Sequence, residues 1–291
     1  MRQINRKYQL EVGDTRTSSG IVVTDLQVSF NITKTSSNTE NPNHGSIDIV
    51  NLSDDSLRRI DVDYPACRLK VAYGDEPLKT LWVGEVISVS TRKQGTERVT
   101  TLGLGDSYTS LNHKIVSALV APGATVRDAV ERVRRELTPN KGVYNGTRIN
   151  LPLTYGYPLQ GTPRAMLNEI AEKYLLEWQL DDGVLYVHDK EVANNNSFQA
   201  AYQITPETGL VESAYRTSGD NRLSSEDESK KQSAQWTMLL NPDVEAGSIV
   251  YLRDTLTDGY YKLTEVRHTG GYRDTNWYTE CKAEAIERVK R

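Results

Sequence analysis

The segments LKVAYGD (residues 69–75), LWVGEVISVS (81–90) and RVTTLGLGD (98–106) follow one another with little between them. Each alternates or clusters apolar residues over a strand's length, and Gly74-Asp75-Glu76-Pro77 and Lys93-Gln94-Gly95-Thr96 supply the turns. The same sequence of strand, turn, strand, turn, strand recurs near the other end as VYLRDTL (250–256), YYKLTEVRHT (260–269) and WYTECKAEA (277–285). Each central strand carries Glu-Val, at Glu85-Val86 and at Glu265-Val266. The shared residues are few, so an internal duplication and a chance likeness of two meanders both stay open at this point.

The rest of the first third also reads as strands. Tyr8-Gln9-Leu10-Glu11-Val12 alternates, and Leu26, Val28, Phe30 and Ile32 line one face of the next strand. Residues 33–46 look like a long polar excursion, followed by a strand over 47–52 and a polar helical turn. Several short strands with almost no helix predict a small barrel or sandwich. The character changes near residue 113. Thr125 is placed to cap a helix with Asp128 three residues on, and Val126, Ala129, Val130, Val133 and Leu137 recur at helical spacing. Thr162 and Pro163 open a second helix, and Asp182-Gly183 turns a hairpin between 177–181 and 184–188. Strands return over 209–216, 234–240, 248–253, 260–268 and 277–285, and residues 218–232 are polar enough to be disordered alone in water. The expected domains are 1–112, an α+β middle over 113–197, and 198–291 with a polar loop at 217–233.

Composition limits the function. The net charge of -4 argues against a surface built to grip nucleic acid, which needs clustered Lys and Arg. Tyr (16) far outnumbers Phe (2), and tyrosine suits half-buried surfaces and interfaces. Cys67 and Cys281 are expected as buried thiols. Residues 1–7 lack an apolar core, so no secretory signal is expected, and no stretch approaches the ~20 apolar residues of a membrane helix.

Patterns that carry chemistry are sparse. His44, His113, His188 and His268 are scattered, with no HxH or HExxH ligand set. There is no GxSxG elbow, and Gly103-Leu104-Gly105 fits neither a phosphate loop nor a dinucleotide fingerprint. Glu85, Glu177 and Glu265 lie on or beside predicted strands, where the plain reading is a solvated face, and a glycosidase pair would need two of them across a cleft. Arg132, Arg134 and Arg135 form the wet face of a helix or a patch for a partner. Tyr260, Tyr261, Tyr272 and Tyr278 could form a carbohydrate-binding line but look more like strand packing. No catalytic residue, metal site or cofactor is assigned.

VSFNITKTSSNTENPNHGSIDIVNLSDDSLRRI (28–60) resembles the N-terminal signature of tail baseplate hub proteins of contractile-tailed phages. A strand ends in Thr33-Lys34-Thr35, Pro42-Asn43 follows, and an alternating strand through Ile47-Asp48-Ile49 closes on Asn51-Leu52-Ser53. LWVGEVISVS and TTLGLGDSYTSL (100–111) are similar to the family's next strands, where a Gly-containing strand leads to an Asp at the barrel exit. TPRAMLNEIAEKYLLEWQLDDGVLYV (162–187) resembles its helix-then-hairpin unit. LLNPDVEAGSIVYL (239–252) and the stretch 259–286 resemble its last barrel, with Leu240-Asn241-Pro242, Gly247, Val266-x-His268 and Trp277 in order. The polar loop and residues 138–161 depart from the pattern.

The resemblance implies a mainly β fold with an α+β middle unit and two tube-like β-barrel domains. It implies a homotrimer whose six barrels adapt a hexameric tail tube to a central spike. The implied partners are the tail tube or tube-initiator protein, the spike, and baseplate wedge or sheath components. DNA would pass through an acidic or neutral lumen without being read, no membrane anchor is implied, and the site is the virion tail after assembly in the host cytoplasm. Candidate subunit-interface residues are Pro42, Asn43, Ser224, Glu226 and Lys230. The alternatives are a hub of a non-phage contractile injection system, such as a tailocin or type VI-like spike, and a cell-wall or glycan hydrolase on a β scaffold.

Overall fold

A computed structural model describes residues 5–14, 19–37, 43–190, 202–217, 233–255 and 257–286. The N-terminal β unit comprises β1 (Arg6–Asp14), β2 (Ser19–Val23), β3 (Val28–Thr35), β4 (His44–Val50), helix α1 (Asp54–Ile60), β5 (Ala66–Tyr73), β6 (Lys79–Gln94) and β7 (Glu97–Gly105). Side chains from β1 through β7 meet in one core that includes Leu10, Ile32, Ile47, Leu69, Trp82 and Leu102. Strands at both ends of a sheet can share one core only if the sheet curls around it. The helical turn after residue 52 is real. Ser53 accepts from the Ser56 amide as N-cap, Asp54 and Asp55 sit at the positive end, and Ile60 is buried.

The middle unit holds α2 (Tyr108–Asn112), β8 (Val116–Val120), α3 (Val126–Leu137), β9 (Val143–Asn145), β10 (Tyr157–Gly161), α4 (Pro163–Tyr174), β11 (Leu176–Asp181) and β12 (Val184–Asp189). Both helix starts match their sequence signals. Thr125 and Asp128 form a reciprocal capping box. Thr162 accepts from the Ala165 amide ahead of Pro163. The β11–β12 turn takes positive φ at Asp182 (48°) and Gly183 (76°), as a type I′ turn requires. The middle core is separate, built around Val133, Ile149, Ile170, Trp178 and Leu185.

The C-terminal β unit comprises β13 (Tyr202–Ile204), β14 (Leu210–Thr217), β15 (Ser233–Leu239), β16 (Ile249–Arg253), β17 (Asp258–Gly271) and β18 (Trp277–Ala285). Its core gathers Trp236, Val250, Tyr261, Leu263, Val266 and Cys281. Cys67 and Cys281 are both free and buried.

The strands of the two β units join into one sheet in the order β14-β15-β18-β17-β3-β4-β7-β6-β5-β1-β2, with β16 and β13 continuing from β17. The order exposes a repeat. In the N-terminal unit β3, β4, β7, β6, β5 and β1 are successive neighbours, and in the C-terminal unit β14, β15, β18, β17, β16 and β13 are. Chain order also corresponds, so the two meanders of the sequence are equivalent parts of two similar units. Both central strands carry an irregularity beside their Glu-Val, between Val86 and Ser88 and between Leu263 and Glu265. The units differ at β13, which runs parallel to β16 where β1 is antiparallel to β5, and in the additional β2.

The excursion expected over 33–46 is shorter than the sequence reading. Thr33, Lys34 and Thr35 belong to β3, and His44, Gly45 and Ser46 to β4. The reason is tertiary. Thr33 faces Arg267, Lys34 faces Val266 and Thr35 faces Glu265, so β17 extends β3 from a distant part of the chain. The polar stretch 218–232 lies outside the described residues.

Candidate functional site

The described residues concentrate their buried polar chemistry where the three units meet. The seam begins with β17 pairing β3 from Glu265↔Thr35 to Gly271↔Ser29. Leu240 and Trp277 of the C-terminal segment are buried in the N-terminal core, and Phe30 meets the Trp277 ring edge-on at 5.4 Å. The Tyr73 hydroxyl donates to the Leu240 carbonyl at 3.1 Å, and Lys79 is paired with Asp243.

The tip of the β11–β12 hairpin is set into this seam. Lys34 is buried, and its ammonium lies 2.9 Å from Asp181 and 3.8 Å from Asp182. Asn43 is buried as well. Its Oδ1 accepts from the Thr35 amide at 2.9 Å and its Nδ2 donates to the Leu180 carbonyl at 3.0 Å. The amide of Asn43 therefore clasps the end of β3 to the middle hairpin. Gln179 donates to the Ala246 carbonyl of the C-terminal unit at 3.4 Å.

Electrostatics at the junction follow from one lysine facing several carboxyls. Burial opposes the Lys34 charge, but Asp181 and Asp182 outweigh it and hold the ammonium above the usual lysine range. Asp106, at the exit of β7, is pushed up to about 8 by burial and then by the charge of Asp181, so it carries a proton at neutral pH. Burial and Asp181 also raise Glu245. His268 on β17 is driven down to about 3 by burial and by Lys34, so its ring is neutral, and it shares a hydrogen bond with Thr279. A neutral acid and a neutral imidazole beside the Lys34–Asp181 salt bridge make a largely buried lock. Such a group fixes the mutual position of three units.

Of the interface residues expected from sequence, Asn43 is inside the subunit, while Pro42, Ser224, Glu226 and Lys230 lie outside the described residues. Glu177 and Glu265 do line a common cleft of about 640 Å³, with Glu172, Lys190 and Lys282. Each is committed to a lysine, Glu177 to Lys262 at 3.7 Å and Glu265 to Lys282 at 2.8 Å. Glu85 is elsewhere and accepts from the Thr109 amide. Tyr261 packs on Trp236 and Tyr272 on Tyr8, so these rings serve packing rather than an exposed line. Arg132 and Arg134 pair with Glu136 and Glu131 along α3. Among the described residues no group of three His, Cys, Asp or Glu could hold a metal ion, and no helix is long and apolar enough to cross a membrane.

No family model and no curated protein matches the chain. Solved structures match over nearly its whole length. The tail protein of Neisseria meningitidis superposes with a TM-score of 0.68 at 17% identity, covering 97% of both chains. The 43 kDa tail protein of prophage MuSo2 from Shewanella oneidensis gives 0.63 at 11% identity, over 96% of this chain and 98% of that one. A component of the Escherichia coli type VI secretion system, described as similar to bacteriophage T4 tail proteins, gives 0.66 at 11% identity, over 96% of this chain and 77% of that one. The chain thus has the fold of phage tail proteins, the class to which its sequence motifs point.

Proposed function

We propose that this chain is the structural subunit of a phage-tail baseplate hub, working as a homotrimer that joins a sixfold tail tube to a threefold spike. The observation that carries the reading is the repeated strand order of the two β units. A ring of three copies then presents six similar β units, which lets one chain meet sixfold symmetry on one side and threefold on the other. The three cores support a division into an N-terminal β domain (1–112), a middle domain (113–197) and a C-terminal β domain (198–291). The buried junction around Lys34 holds the angle between the β domains, which ring closure needs. The partners are the tail tube or its initiator and the spike. DNA passes through the ring without sequence readout, in keeping with the net charge of -4. The role is non-enzymatic, and the lysines beside Glu177 and Glu265 suit surface ion pairs rather than hydrolysis.

Light scattering on the purified chain, alone and with tail-tube and spike subunits, tests this. A mass three times that of the chain, and capture of both partners, is expected. A monomer at all concentrations that binds neither would overturn it. A second reading, a hub of a non-phage injection system, draws on the type VI component among the matching structures. Selective capture of a type VI tube subunit over a phage tube would favour it. Peptidoglycan hydrolysis by the purified chain would contradict both.

A further inference from the structure

The equivalence of the two β units leaves one strand edge filled and its counterpart open among the described residues. One edge of β17 is used twice. It pairs β16 over residues 258–262 and β3 over 265–271. The corresponding edge of β6 pairs β5 over 79–85, but over 88–94 no described residue pairs with it. Residues 87–94 are exposed on every side chain, including Ile87 and Val89 at 39% and 44%. The equivalent of β3 is β14, and among the described residues its outer edge carries no strand either. The Ala214 amide, at the irregularity of β14, is taken by Asp254 at 3.1 Å, and beyond it Tyr215 stands 59% exposed. A long exposed edge with apolar side chains is a template for another strand.

We infer that the 88–94 edge of β6 receives β14 of a second copy of this chain, antiparallel, reproducing between subunits the β17–β3 pairing found within one. The inference rests on the ring proposed above and names its joint. The paired registers carry the alignment through. Val86 faces Leu104 as Val266 faces Cys281, and Ser88 faces Gly103 as Arg267 faces Glu280. Gly103 faces Ser46 as Glu280 faces Thr237, so His44 corresponds to Gln235. His44 faces Thr33 and Gln235 faces Tyr215. Because Arg267 faces Thr33 across the internal seam, Ser88 faces Tyr215 of the neighbour. Each copy offers one open edge and one strand to fill another, a head-to-tail contact of the kind that closes into rings. The two strands sit apart in the sheet order of a single chain, so a chain does not satisfy its own edge.

Cysteine pairing tests the joint. Directly opposed antiparallel residues have Cβ atoms about 4.5–5.5 Å apart, within reach of a short thiol cross-linker. The native Cys67 and Cys281 are buried and give little background. The full-length Ser88→Cys/Tyr215→Cys variant is expected to give covalent trimers under non-reducing electrophoresis. Gln94→Cys/Tyr215→Cys, displaced about 20 Å along the strand, is expected to give at least tenfold less. A native trimer in which the Ser88→Cys pair links no better than the Gln94→Cys pair would overturn this joint and leave the ring standing. A native chain that stays monomeric would overturn the ring, and the joint with it. Linking of the Ser88→Cys thiol only to an added tube subunit would assign the edge to that partner and overturn the inference.

Discussion

The central strands β6 and β17 hold equivalent places in two similar units, yet their surroundings have diverged. β17 is closed on both sides, and its glycines record that closure. At Gly270 an added Cβ would meet the Phe30 ring at 2.3 Å and the Trp277 ring at 2.8 Å. The equivalent position in β6 is Thr91, exposed, whose hydroxyl shares a 3.1 Å hydrogen bond with Thr100 across the hairpin. One topology therefore supplies a rigid internal seam in one unit and an accessible edge in the other. In the proposed ring, such a chain is asymmetric where it meets a copy of itself, and its two halves are held at a set angle.

The seam can be broken most severely at its buried cation. Lys34→Met leaves the buried Asp181 without its cation, and removing one side of a buried pair costs about 3–5 kcal/mol. Urea denaturation should show that loss, and adding Asp181→Leu should recover most of it. An unchanged midpoint for the single variant would mean the junction does not hold the units. Next in size is the glycine contrast. Gly270→Ala is expected to cost about 1–3 kcal/mol by overpacking against Phe30 and Trp277. Thr91→Val, its counterpart on the open edge, should stay within about 0.5 kcal/mol in the isolated chain. Equal costs would erase the distinction between filled and open edges.

The junction also carries a pH dependence. Asp106, raised to about 8, binds a proton in the folded state that the unfolded chain has released above pH ~4. Folded protein then holds more protons than unfolded, so stability falls as pH rises toward 8. His268, lowered to about 3, has the opposite sign, and its contribution is complete once the unfolded imidazole is neutral above pH ~6.5. Between pH 6.5 and 8 the imidazole slope fades and the acid slope, at most about 1.4 kcal/mol per pH unit, dominates of these two. Asp106→Asn should flatten it in melts across that interval, and an unchanged slope would place Asp106 in a wetter setting.

What was legible in the sequence was local. Thr125 with Asp128, Thr162 with Pro163, and Asp182-Gly183 carry their structure in a few adjacent residues, and each folded as read. The two Glu-Val meanders were legible as strands, although their equivalence needed the full strand order. The short strands β8, β9, β10 and β13 were not legible, because three to five residues give periodicity too little to act on. The junction was hidden for another reason. Lys34, Asp106, Asp181 and Glu245 are scattered along the chain, and each alone looks like an ordinary wet charge. Asn43 misled in the same way. A polar residue after proline in a polar stretch suggests a surface, and only the approach of Leu180 makes it a buried clasp.

The most direct test of the repeated-unit account is electron microscopy of the purified chain viewed down its symmetry axis. Rings of six evenly spaced β lobes, differing in alternation so that the true symmetry is threefold, are the predicted result. Isolated copies, or closed rings whose lobes do not alternate between two kinds, would contradict it.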